Sequence, residues 1–245
     1  MDGNSGSSIV LNKQFLRWEL FIRRCLEADG FGDISDSCNP GTGQYPEREQ
    51  ILNYDVEPLK SIYKECMDHA VQRNKKLHDE VLILMHPTFM FQQGMHYLIN
   101  DDAREQADAY WDNLTSVLNS RRPDVSFAIT ETVQHYASTT SLWLEQGRID
   151  AAAFTKYNSG IMMTPGFIRS LKGKKVFVGG MYNYFCVTAL LAQIRKEENI
   201  EWYIIKDLIV DQPSKCDQIN PTTIWQGTMD ITSPERLVSL ERLLK

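Results

Sequence analysis

Short apolar segments alternate with amphipathic ones along the chain from residue 77 onward. The segment 80–85, EVLILM, is a continuous apolar run of strand length, which is typical of a strand buried on both faces of a parallel sheet. The segment 101–119 has helical periodicity and separates this run from a second apolar run at 125–130. Further strands are predicted at 152–155, 175–179, 201–206 and 221–226, and further helices at 139–146, 164–171 and 186–197.

The end of the chain carries the sequence Ser233-Pro234-Glu235. A serine N-cap followed by proline at the first helical position predicts that a last helix begins here. Strands that alternate with helices in this way predict an α/β fold. We expect three α/β/α layers around a mostly parallel, doubly wound sheet of about six strands.

The first third of the chain has a different composition. The segments 16–26 and 56–76 have helical periodicity, and between them 29–45 is rich in glycine, aspartate, serine and proline. We therefore predict an N-terminal helical extension with a linker over residues 1–76, followed by the α/β domain over residues 77–245.

Charge and cysteine content exclude several functional classes. The 26 lysines and arginines are outnumbered by 32 aspartates and glutamates, so the chain lacks the broad positive field on which nucleic-acid binding depends. No apolar run approaches the ~20 residues that a membrane helix needs. The five cysteines are odd in number and form no C-x-x-C pair, which favours a reducing compartment. We expect a cytoplasmic protein that binds neither nucleic acid nor membrane.

One cysteine lies where a doubly wound sheet would bind a ligand. Gly179-Gly180 ends a predicted strand, and the predicted helix that follows begins at Cys186. The positive end of a helix dipole favours a thiolate, which is the nucleophilic form of cysteine, and the free N–H groups there suit an oxyanion. The same position also suits an unreactive cysteine, since free cysteines are among the most often buried residues.

The segment 176–211 resembles the isochorismatase-like cysteine hydrolases, a family that includes nicotinamidases and N-carbamoyl amide hydrolases. The resemblance rests on Gly179-Gly180, on Cys186-Val187, and on Asp207 and Asp211 after the next strand. It implies that Cys186 is the nucleophile of an amide-cleaving reaction. Residues 77–245 would then form an isochorismatase-like hydrolase domain.

The resemblance also implies two partners for Cys186. Lys156, in the sequence FTKYNSG, takes the place of the family's catalytic lysine. His86 follows the first strand where the family has a catalytic aspartate, when the strand and Phe91 are aligned. A histidine can act as general base toward a cysteine. Beside Lys156 we expect its imidazole to stay neutral, because a nearby like charge disfavours the imidazolium.

The turn before Cys186 supplies the other candidate site residues. Tyr182, Asn183 and Tyr184, together with Phe91, are assigned to substrate binding or to an oxyanion hole that uses the backbone N–H groups of residues 182 and 186. After the second strand, Glu131 and His135 are two candidate metal ligands without a third. We therefore predict no metal and no other cofactor.

Two functions are compatible with these residues. The first is a cofactor-independent cysteine hydrolase that cleaves a small amide-like C–N bond through a thioester-type intermediate, with Cys186, Lys156 and His86 as catalytic residues. The second is a catalytically inactive member of the same fold that serves as a binding or regulatory protein, since the aspartate is missing. The resemblance further implies a small-molecule substrate and a homo-oligomer.

Overall fold

The computed structural model describes most of the chain beyond residue 56. The described residues are 57–88, 101–120, 122–132, 136, 140–155, 160–164, 166–181, 186–210 and 234–244. The chain divides into two units, Met1–Asp68 and His69–Lys245. Of the first unit only residues 57–68 are described, and they form the beginning of a helix. The predicted domain boundary at 76/77 stays a prediction.

The described residues form six strands, five α-helices and two 3₁₀ turns. The strands are β1 (Glu80–Met85), β2 (Val125–Glu131), β3 (Ala151–Phe154), β4 (Lys175–Met181), β5 (Glu201–Val210) and β6 (Leu237–Val238). The helices are α1 (Glu57–Arg73), α2 (Asp101–Asn119), α3 (Ser141–Glu145), α4 (Thr188–Ile194) and α5 (Glu241–Leu244). None of these helices has the length and apolar composition that crossing a bilayer requires.

The six strands form one parallel sheet in the order β3-β2-β1-β4-β5-β6. Strands β1 to β4 are buried along nearly their whole length, as expected for a parallel sheet whose two faces are covered. The predicted α/β class with a doubly wound parallel sheet of six strands is confirmed. The three-layer arrangement stays a prediction.

Two glycines at the end of β4 allow the neighbouring strands to approach closely. Gly180 has φ +118, and a Cβ there would lie 2.0 Å from the backbone oxygen of Met85. A Cβ at Gly179 would lie 2.8 Å from the Cβ of Leu208. Glycine is therefore required at position 180 to seat the last residue of β1 against β4.

The end of the chain differs from the prediction. The sixth strand predicted at 221–226 lies outside the described residues. The predicted last helix does not continue from Pro234, because Pro234–Arg236 forms only a 3₁₀ turn. Leu237–Val238 then pairs in parallel with β5 as β6, so strand pairing overrides the local helix signal, and α5 begins at Glu241.

The helix predicted at 164–171 is also shorter than expected. The structure has a 3₁₀ turn at Ile168–Leu171. Gly166, just before it, has φ +79, which a continuous right-handed helix does not allow.

Candidate active site

The carboxyl ends of β1 and β4 lie next to each other at the switch point of the sheet. The chain runs from β1 outward through β2 to β3, then crosses to β4 on the other side of β1 and continues to β5 and β6. Ligands of doubly wound sheets bind beyond the strands at such a point. His86 directly follows β1, and Cys186 follows β4.

The backbone of His86 is in the left-handed region. Its φ is +45, and its N–H donates to the backbone oxygen of Thr130 at 3.0 Å. A residue before a proline, here Pro87, ordinarily favours an extended conformation. Such an outlier costs on the order of 1–3 kcal/mol and is found most often where a site requires it.

The side chains of His86 and Cys186 lie close enough for the thiol group to raise the pKa of His86. The two residues are 2% and 4% exposed, so their contact is shielded from bulk water. The structure thus brings together the two predicted catalytic residues that it describes. A thiol next to an imidazole is the pair of groups from which an activated cysteine nucleophile is built.

A carboxylate lies on the other side of the imidazole. Oε1 of Glu131 is 2.6 Å from Nδ1 of His86, and Glu131 is fully buried. The backbone N–H of Thr132 donates to the same oxygen at 2.9 Å. Cys186, His86 and Glu131 therefore form a row of thiol, imidazole and carboxylate across three strand ends.

This carboxylate changes the charge expected on His86. Burial by itself lowers the pKa of His86, but the charge of Glu131 and the hydrogen bonds to Cys186 and Glu131 outweigh it and raise this pKa to about 10. The imidazole is therefore protonated at neutral pH. The neutral imidazole expected from the sequence is wrong, because that expectation considered Lys156 and not Glu131.

The strand end of β3 also reaches the site. Oγ1 of Thr155 lies 3.5 Å from Nε2 of His86. Gly160 lies very close to Cys186. A Cβ added to this glycine would be 2.1 Å from the backbone oxygen of Cys186. Gln193 of α4 fixes this position by donating to the oxygen of Gly160 at 2.8 Å. Both flanks of the segment 156–159 therefore lie at the site.

The remaining predicted site residues are not described. Lys156, Tyr182, Asn183, Tyr184 and Phe91 all lie outside the described residues. Asp207 of the family-like motif has a structural contact, since its Oδ2 accepts a hydrogen bond from the backbone N–H of Leu240 at 2.7 Å.

Sequence reasoning missed the contact of Glu131 with His86. It treated this residue as a candidate metal ligand with His135, which lies outside the described residues. In the described part of the chain, no group of three or more His, Cys, Asp or Glu side chains is arranged to hold a metal ion. The sequence does show that Glu131 follows an apolar run of strand length. Only the structure shows that this run, β2, is the neighbour of β1.

Comparisons of this chain with family models, with curated proteins and with solved structures find no match. The resemblance to the isochorismatase-like hydrolases therefore stays a prediction that rests on the residues quoted above.

Proposed function

We propose that the protein is a cofactor-independent cysteine hydrolase that cleaves a small amide-like C–N bond through a thioester intermediate. The observation that carries this proposal is the proximity of the buried side chains of Cys186 and His86 at the switch point. The proposal includes a small-molecule substrate and a homo-oligomer, both from the resemblance, and a cytoplasmic location, which rests on the cysteine content.

In the first half of the reaction, Cys186 acts as a thiolate beside the His86 imidazolium, the thiol proton being held on the ring. The sulfur attacks the carbonyl carbon of the substrate, and the carbonyl electron pair moves onto oxygen. The C–N bond then breaks as the carbonyl re-forms, and the imidazolium gives its proton to the departing nitrogen. The products of this half are the free amine or ammonia and an acyl group bound to Cys186.

In the second half, His86 is neutral and can serve as a base. It takes a proton from water as the water oxygen attacks the thioester carbon. Breakage of the C–S bond returns the thiolate, the acid product leaves, and His86 is again an imidazolium. No oxidant, reductant or metal enters this balance.

One observation favours the second candidate, an inactive binding or regulatory protein. Cys186 is only 4% exposed and belongs to an apolar cluster with Val187 and Leu190. Buried cysteines in such surroundings are commonly inert. The experiment must therefore separate a shielded nucleophile from a packing residue.

The test uses small primary amides and N-carbamoyl compounds as substrates. Ammonia release and the mass of the intact protein are followed for the wild type, for Cys186→Ser and for the matched control Cys66→Ser. We expect turnover and an acyl adduct in the wild type and in Cys66→Ser, with both lost in Cys186→Ser. Turnover that survives in Cys186→Ser would contradict the proposal. No turnover, together with a Cys186 that does not react with iodoacetamide, would favour the binding protein.

A further inference from the structure

The strand end next to β1 carries a residue that no sequence motif assigns to the reaction. We propose that Glu131 is a positioning residue for this reaction, which holds the imidazole of His86 in the orientation and charge state that Cys186 requires. This inference rests on the proposed function and extends it by one residue.

The sheet register brings Glu131 to His86. Strands β1 and β2 are parallel neighbours, and Met85 pairs with Thr130. The next residue on each strand is therefore His86 on one side and Glu131 on the other. Their side chains meet with 2.6 Å between Nδ1 and Oε1.

The carboxylate of Glu131 is itself held in place. It is fully buried, and its Oε1 accepts the N–H of Thr132 at 2.9 Å. Its backbone oxygen accepts the N–H of Thr155 at 3.0 Å, which ties the end of β2 to β3. A carboxylate has no proton to donate, so Nδ1 of His86 must be the donor. The ring nitrogen left for Cys186 is then Nε2.

Glu131 also sets the charge balance around the imidazole. Among the described residues, the titratable groups that face this pair are Cys186 after β4 and Tyr110 of α2. Burial first, and then the charge of Glu131, raises the pKa of Tyr110, so this phenol stays neutral. When the sulfur of Cys186 forms a bond to the substrate, its negative charge is lost. Glu131 is then the anion that still stabilises the imidazolium of His86.

The test replaces Glu131 by glutamine, which keeps an oxygen for Nδ1–H but removes the charge. Two readouts are followed against pH: the protonation of His86 by NMR of ¹⁵N-labelled histidine, and the rate of alkylation of Cys186 by iodoacetamide. The His86 signals are assigned from their loss in His86→Asn.

In the wild type, His86 should stay protonated until the pH reaches about 10. Because this pKa is raised, the imidazolium is complete at low pH and is lost as the pH rises. In Glu131→Gln the midpoint should fall by about 1–3 pH units, the usual effect of a neighbouring opposite charge. At pH 9 the imidazolium fraction should fall from about nine tenths to one half or less, so alkylation of Cys186 at this pH should slow by about twofold or more.

Two further variants show whether the effects come from the carboxylate beside His86 or from a general change in the fold. Glu131→Asp keeps the charge and should restore part of the midpoint and part of the rate, and it also serves if the glutamine variant does not fold. Glu80→Gln removes a carboxylate at the opposite end of β1, where Glu80 pairs with Lys175 at 3.3 Å, and should leave both readouts unchanged.

An unchanged His86 midpoint in Glu131→Gln would overturn the inference. A lower midpoint with an unchanged alkylation rate would overturn it as well, because the contact would then not serve the thiol. If Cys186 of the wild type reacts no faster than the other cysteines, the proposed function itself fails, and this is seen before any Glu131 variant is made.

Discussion

Replacing His86 by asparagine is expected to slow the alkylation of Cys186 at neutral pH by roughly 10²-fold. General acid–base assistance by a side chain is worth about 10²- to 10⁴-fold, and the lower end applies because alkylation needs only the loss of the thiol proton. Asparagine tolerates the left-handed backbone at position 86, where φ is +45. Its amide can also donate to Glu131 in place of Nδ1, so the fold is kept while the imidazolium is removed.

The matched control for this variant is His78→Asn, on the exposed segment just before β1. It should alkylate at the wild-type rate, and denaturant unfolding should show that both variants are folded. A His86→Asn protein that is folded and alkylates as fast as the control would mean that His86 does not activate the thiol.

Replacing Gly180 by alanine is expected to lower the free energy of unfolding by roughly 3–5 kcal/mol. A non-glycine residue at φ +118 is strained, and the added Cβ would lie 2.0 Å from the oxygen of Met85. The obstacle is backbone of a central strand, which cannot move aside as a flexible side chain would. Urea unfolding followed by circular dichroism measures the change.

The Gly173→Ala variant measures the cost of backbone strain without the cost of steric overlap. Gly173 has φ +74, and a Cβ there would meet nothing within 4 Å. The free energy of unfolding of Gly173→Ala should fall by about 1–2 kcal/mol, the usual cost of the left-handed region for an L-residue. Equal losses for the two variants would show that β1 and β4 do not approach each other as closely as the structure indicates.

Much of the sheet could be predicted because buried parallel strands leave continuous apolar runs. The run EVLILM coincides with β1 (Glu80–Met85), and the 101–119 pattern coincides with α2. Strand β5 extends beyond its predicted end at 206 because it continues to Val210 after a register shift against β4. A register shift depends on the partner strand, so local periodicity does not show it.

The failures occur where tertiary contacts outweigh local signals. The serine and proline before residue 235 are good helix-start residues, but Leu237–Val238 gains a strand partner in β5. The short apolar pair is compatible with both structures from sequence alone. Pairing with β5 makes Leu237–Val238 a strand and not the start of a helix.

The candidate site was predictable in part for the same reason. Cys186 and His86 each follow an apolar strand, and strand ends of a parallel sheet lie at one edge. Predicting the contact of Glu131 with His86 would have required the strand order, because the two residues meet only through the pairing of β2 with β1. The resemblance places a carboxylate at position 86, whereas in this chain the buried carboxylate comes from the adjacent strand.

The rate of alkylation of each cysteine in the native protein tests the central claim most directly. Iodoacetamide is added below saturation at pH 7.5, and modification is followed by peptide mass spectrometry. Cys186 should react faster than each of the other four cysteines, while burial raises the pKa of Cys66 to about 11 and keeps that thiol slow. A Cys186 that reacts no faster than the others would contradict the account, because an activated nucleophile would then be absent from the switch point.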